Sequence, residues 1–174
     1  MLSVGVSRME KTRVVFIDPE AKVNSSYYCN IVLEKGLLPD IRAICHHYRW
    51  TLQRDGAPAR PARTTMDYLK QEHINFIEPH MWPPNSPDIN PVDYAIWVLF
   101  QQRVYHQRQF KTAEELKRAT VTEWQKLSQR FIYNSISEWR RRLESVIKNG
   151  GGHIEHCNLA WVAAHHFNTI VRQV

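Results

Sequence analysis

Apolar and polar positions alternate at the start of the chain: Leu2, Val4 and Val6 are separated by small or polar residues, which predicts a half-buried strand. Val14-Val15-Phe16-Ile17 is a short continuous apolar run compatible with a buried strand, and Asp18-Pro19 ends it. Asn24 can cap a helix carrying Tyr27, Tyr28, Ile31 and Val32, and a second short helix is expected over Pro39 to His47. Trp50 and Leu52 alternate again and run into Asp55-Gly56, a strand-ending turn. Pro61 suits the first position of a helix with Met66 and Leu69 on one side, and Ile74, Phe76 and Ile77 predict one more short strand.

The pattern then changes period. After the proline-rich stretch Trp82 to Pro91, Asn90 reads as an N-cap and Pro91 as a first helical residue. Val92, Ile96, Phe100 and Val104 follow at helical spacing. Thr112 and Glu115 fit a capping box ahead of Leu116, Trp124 and Leu127. Ile132, Ile136, Trp139, Leu143 and Val146 predict a last long helix that stops at Asn149-Gly150-Gly151-Gly152. Strands mixed with helices, then helices alone, imply an α/β sheet with helical cover.

Composition narrows the setting. The 174 residues suit one domain with or without a tail, 43% of them hydrophobic and 23% charged. No apolar run approaches membrane-spanning length. The three cysteines, Cys29, Cys45 and Cys157, are widely spaced and odd in number, so they form no disulfide framework and favour a reducing compartment. The net charge of +6 favours an acidic partner, of which nucleic acid is the commonest.

Two aspartates stand at element ends: Asp55 just past a strand, Asp93 on the first turn of a helix. Carboxylates so placed can converge and hold Mg²⁺ or Mn²⁺ through hard oxygen ligands, and two such ions can stabilise a phosphoryl displacement. A stiff proline loop would then hold a ligand in place. The plainer reading is also open. Asp93 lies three residues after Asn90 and can complete a capping box, while Asp55 before Gly56 and Asp88 after Ser86-Pro87 suit turns.

Four stretches in order resemble one family. "RDGAPARPAR" at 54–63, "WPPNSPDINPVDYAIW" at 82–97 and "RRRLESVIKNGGGH" at 141–153 resemble the catalytic domain of mariner-like transposases, and "FIDPEAKVNSSYY" at 16–28 resembles the segment before that domain's second catalytic acid. The resemblance covers residues 1–156, with 157–174 as a divergent C-terminal tail. It implies an RNase H-like fold and a site of three acids holding two divalent ions, Mg²⁺ or Mn²⁺, which activate water and then a DNA 3′-hydroxyl for strand cleavage and transfer. By motif, Asp55 is the second acid and Asp93 the third, in the subgroup with Asp in that place. DNA is the implied partner and the nucleus the implied location, with no membrane and no small-molecule substrate.

The chain also departs from the family. Arg54 and Arg60 stand where Gln and His are common; cations there would compete with metal ions for the carboxylates or contact phosphate instead. The strand bearing the first acid has no counterpart upstream of Met1-Leu2-Ser3-Val4-Gly5-Val6-Ser7, and Asp18, in a turn after a later strand, is no substitute. The resemblance puts that strand inside the sheet, so its loss is expected to leave two inner strand edges unpaired and open to self-association. Two readings follow: a metal-dependent DNA strand-cleaving and strand-transferring domain lacking its first acid, and a non-catalytic nucleic-acid-binding or interaction protein that keeps the fold.

Other clusters carry less. Arg140, Arg141 and Arg142 beside Trp139 read as a solvated basic face or as DNA contacts, and Lys111, Lys117, Arg118 and Lys126 read the same way. Trp97, Trp124 and Trp139 fall on apolar faces and are expected in the core. His153, His156, Cys157, His165 and His166 are zinc-ligand types without the spacing of a common structural site. Leu159, Trp161, Val162 and Phe167 allow an amphipathic helix in the tail.

Overall fold

The computed structural model describes residues 1–54, 63–83 and 86–154, together with the backbone of 167–173. Asp55, Gly56, Arg60 and Pro61, and most of the tail including His156, Cys157, Trp161, His165 and His166, lie outside the described residues. The chain forms two compact units, Met1–Asn85 with Trp161–Val174, and Ser86–Ala160.

In the first unit, β1 (Leu2–Val6) pairs antiparallel with β2 (Val15–Phe16), with Leu2 opposite Phe16 and Ser3 opposite Val15. Asn24 caps the following helix as expected: its Oδ1 accepts from the Tyr27 amide at 2.8 Å. The helix then differs from expectation. It runs unbroken through α1 (Ser25–Tyr27), a π-helical stretch Tyr28–Leu37 and α2 (Leu38–Cys45). Pro39 does not begin a separate helix. It sits in the first turn of α2, where the winding changes and the Leu38 amide still reaches back to the Leu33 carbonyl. A missing N–H is least costly at such a seam. Gly36 is needed here because a Cβ would lie 3.0 Å from both the Ile31 carbonyl and a Val15 methyl.

One face of this helix supplies Tyr28, Val32, Leu33, Leu37, Leu38 and Ile41 to a core completed by Leu52, Leu69 and Ile74. Each large apolar side chain so buried contributes about 1.5–3 kcal/mol before its entropy cost. Leu52 lies in β3 (Trp50–Arg54) and Leu69 in α3 (Arg63–Gln71). The strand expected over Ile74 to Ile77 is reduced to a single parallel bridge, Leu52 to Phe76, because Pro79 turns the chain into a 3₁₀ turn immediately afterwards.

The sheet order is β2-β1-β4-β3, where β4 is Phe167–Gln173. This corrects one expectation. Of the residues that allow an amphipathic helix in the tail, Phe167 stands in this strand, and Leu159, Trp161 and Val162 lie outside the described residues. The inner edges expected to be unpaired are paired: β4 runs parallel to β1 and antiparallel to β3. Successive residues Ser3 to Val6 and Leu52 to Arg54 are buried, so both strands are covered on both faces and are not half-exposed.

The second unit is helical over its described residues. It comprises a 3₁₀ turn Pro87–Ile89, a π-helical turn Val92–Ile96 leading into α4 (Trp97–Tyr105), then α5 (Ala113–Lys126), α6 (Gln129–Ser137) and α7 (Trp139–Lys148). The predicted stripe Val92, Ile96, Phe100 and Val104 is buried. Trp97 stacks on Phe100, and Phe100 meets Trp124 edge-on at 5.4 Å. Thr112 caps α5 through the Glu115 amide. The expected last long helix is two helices, broken at Glu138. Gly150 and Gly151 adopt positive φ, and the Gly151 amide closes the end of α7 on the Val146 carbonyl at 2.9 Å. No described helix is long and apolar enough to cross a membrane.

Candidate functional site

Asp93 is the described member of the acid pair, and its placement follows from the residues just before it. Ile89 is buried and anchors the end of the proline-rich loop. Asn90, also buried, is extended, and its carbonyl accepts from the amides of Asp93 (2.9 Å) and Tyr94 (3.0 Å) to start the helix. Its side chain acts twice: Oδ1 accepts from the Val92 amide at 3.2 Å, and Nδ2 donates to Asp93 Oδ2 at 2.6 Å. The carboxylate is therefore held at a fixed orientation in the first turn, where the helix dipole favours a negative charge. This is the capping arrangement in a modified form, with the acid bonded to the cap's side chain and not to its backbone amide.

Asp88 ties this loop to the far end of the unit. Its carbonyl accepts from Arg142 Nε at 2.5 Å, and its carboxylate lies 2.7 Å from His153 Nδ1. The Arg142 guanidinium also lies over the Tyr94 ring, 3.9 Å from its centre, and the Tyr94 hydroxyl donates to the Ser135 carbonyl. The residues flanking Asp93 are thus gripped from α7, from α6 and from the Gly-rich stretch beyond α7. Sequence reading missed this clasp. The available signal was that two separate motif stretches, 82–97 and 141–153, both belong to the resemblance; the structure brings them into contact.

The basic candidates separate. In the run at 140–142, the Arg140 and Arg141 side chains are 87% and 79% exposed and pair locally, Arg140 with Glu144 in the same helix and Arg141 with Glu138 at its start. Arg142 is turned inward onto Tyr94 and Asp88. Arg54 is only 7% exposed, with its guanidinium 5.3 Å from the Phe76 ring centre, and burial lowers its pKa. Arg140 and Arg141 are therefore the surface cations of the candidate set among the described residues, and Arg54 and Arg142 are built into the fold. Lys117 and Lys126 pair with Glu114 and Glu123.

The metal question turns on donor chemistry. A carboxylate oriented by the Asn90 side-chain amide is a hard oxygen donor of the kind Mg²⁺ and Mn²⁺ take. Among the described residues no group of three or more His, Cys, Asp or Glu side chains could hold a metal ion, and Asp55 lies outside those residues. His153, the described member of the C-terminal histidine and cysteine cluster, is engaged with Asp88.

Comparison with known proteins agrees with the motif reading. The chain is 29% identical over 150 residues to the transposase of the transposable element Tc3 from Caenorhabditis elegans, covering 84% of this chain and 43% of that protein. It is 22% identical over 125 residues to the Tcb1 transposase of Caenorhabditis briggsae, covering 72% and 44%. The chain thus spans less than half the length of these relatives. Its fold matches the Mos1 transposase catalytic domain solved with Raltegravir and Mg, at a TM-score of 0.69, 20% identity and coverage of 85% of this chain and 73% of that one. It also matches a mariner Mos1 paired-end complex with Mg, at a TM-score of 0.73, 21% identity and coverage of 85% and 42%. No family model matches. The resemblance to mariner-like transposase catalytic domains and the RNase H-like fold are both borne out.

Proposed function

We propose that this chain is part of the catalytic domain of a mariner-like transposase, built for metal-dependent DNA strand cleavage and transfer, with Asp55 and Asp93 as two of its metal-holding acids. The observation that carries the reading is the held carboxylate of Asp93, fixed by Asn90 in a loop clasped through Asp88 by Arg142 and His153. A helix cap alone needs no such bracing, because a cap of this kind contributes only about 1 kcal/mol. Supporting it, relatives are transposases, and Mos1 structures were solved with Mg or Mn and as complexes with transposon ends.

In this reading Asn90 orients the Asp93 carboxylate, and the Arg142–Asp88–His153 contacts keep the loop from drifting during the reaction. Divalent ions, when bound, would supply the activation of water and of a DNA 3′-hydroxyl. Arg140 and Arg141 offer surface charge to phosphates, and a DNA substrate places the protein's work in the nucleus. The motifs within residues 1–174 supply two of the family's three acids, so this polypeptide alone is proposed to be catalytically inert.

The second reading, a non-catalytic nucleic-acid-binding or interaction protein, is favoured by the net charge of +6 and by the fact that Asp93 already serves as a capping acid. A nicking assay on supercoiled plasmid with Mg²⁺ or Mn²⁺ separates completeness from inertness. No nicking is expected; nicking that disappears in Asp55→Asn or Asp93→Asn would overturn the claim of inertness. Mn²⁺ titration followed by electron paramagnetic resonance tests the acids directly. Weak binding abolished by either substitution supports the transposase site, and binding indifferent to both supports the second reading.

A further inference from the structure

The end of β3 away from Arg54 opens onto a cleft of about 260 Å³, walled by Arg42 of α2, by Tyr48, Arg49 and Trp50, and by Glu72 and His73 just past α3. Trp50 and Arg54 are four steps apart on the strand, about 13 Å at 3.3 Å per residue, so the cleft is separate from the Arg54 end that leads into Asp55 in sequence. Its volume falls short of the about 300–1,000 Å³ of pockets that enclose a whole small molecule, and its walls are largely charged or polar. Such a space suits one unit of a longer, charged chain. The charges in it are unequal. Glu72 is spent on Arg42, whose Nη2 donates to it at 2.7 Å. Arg49 is exposed and has no ion pair among the described residues, so the cleft carries an uncompensated cation.

An aromatic surface stands beside that cation. Tyr48 is 52% exposed, and its ring stacks on His47 with centres 5.1 Å apart and planes 28° apart. The turn that presents it is tight, with the Tyr48 amide donating to the Cys45 carbonyl at 2.8 Å. This turn is entered through His46 at φ 43°, and the facing rim carries His73 at φ 54°. Two of the three described non-glycine residues at positive φ thus border one cleft, and strained backbone of this kind collects at binding sites.

We propose that this cleft binds single-stranded nucleic acid, with a phosphate on Arg49 and a base stacked on Tyr48. A cation next to an exposed aromatic face is the combination single strands use, because their bases are free to stack and those of a duplex are not. A free anion would use the arginine and leave the ring idle. The net charge of +6 draws a polyanion toward the surface. The inference uses neither Asp55 nor Asp93, so failure of the metal-site reading leaves it standing, and an assay in EDTA keeps the two apart.

The test is fluorescence anisotropy of the full chain, in EDTA, with a short fluorescein-labelled oligothymidylate and with a duplex of the same length. Tyr48→Ala should weaken single-strand binding about ten-fold and leave duplex binding unchanged. No loss, or the same loss for strand and duplex, would overturn the proposal. Arg49→Ala should lower the slope of log affinity against log salt for the single strand by about 0.7, the value of one phosphate contact. Lys22→Ala, which removes an exposed cation elsewhere in the first unit, should change neither quantity. If it matches Arg49→Ala, binding is by general charge and the proposal fails. Photocrosslinking of a bromouracil-substituted strand to the unsubstituted chain guards against misfolded variants. Crosslinks should map to residues 46–50 or 72–75, and crosslinks confined to other segments would overturn the assignment.

Discussion

Arg142→Ala should be among the most damaging single changes in the helical unit, although the residue sits in a run of three arginines. Two losses combine. The guanidinium lies 3.9 Å from the Tyr94 ring centre, a cation–π contact of about 0.5–2 kcal/mol. Its Nε donates to the Asp88 carbonyl at 2.5 Å, a charge-assisted bond of about 1.5–3 kcal/mol. Partial exposure of the side chain returns some of this to water, so about 2–4 kcal/mol is expected. Arg140→Ala, which removes an 87% exposed side chain paired only within its helix, should cost no more than about 0.5 kcal/mol. Urea unfolding followed by tryptophan fluorescence reads both variants. A double-mutant cycle with Tyr94→Leu should give a coupling of about 0.5–2 kcal/mol between positions 94 and 142. Equal costs for the two arginines, or no coupling, would refute the clasp.

Further outcomes follow from other contacts. Gly36→Ala should destabilise by about 1–3 kcal/mol in thermal melts, since the new methyl must displace Val15 or the Ile31 carbonyl. Glu123 is pushed up by burial, but hydrogen bonds from Lys126 and Arg108 and their charges outweigh this and hold its pKa below the ordinary value. A lowered folded pKa stabilises at pH above the unfolded value, about 4.3, and that contribution is lost as pH falls through the folded value. Unfolding scans from pH 7 to 3 should therefore show a steeper acid loss for the unsubstituted chain than for Glu123→Gln. Duplex DNA binding should be weak, indifferent to sequence and steeply reduced by salt, and Arg140→Ala with Arg141→Ala should flatten the slope of affinity against salt in fluorescence anisotropy.

Legibility in the sequence followed locality. β1, β2, β3, the Asn24 and Thr112 caps and the buried stripe from Val92 to Val104 were all readable, because each depends on residues a few positions apart. Pro39 reads as a helix start, whereas its place inside a continuous helix depends on a π-to-α seam that no residue pattern announces. The strand at 167–173 was invisible because its reason for being extended lies in backbone edges more than a hundred residues upstream. At the candidate site, residue types identified Asp93 and its neighbour Asn90, but not which arginine of three turns inward. That depends on the break at Glu138, which sets the rotation of α7.

The contact between Asp88 and His153 has one more consequence. It joins the first turn of the helical unit to the residue just past its last described helix, so the two ends of the described stretch 88–153 lie side by side. A body whose two ends meet behaves as a cassette: it can be gained, lost or exchanged in a host fold with little disturbance to the flanking chain, and it tolerates being cut and rejoined in a new order. A circularly permuted version of residues 86–154, opened between α5 and α6 and closed across 88 and 153 by a short glycine linker, should therefore keep the helical core intact.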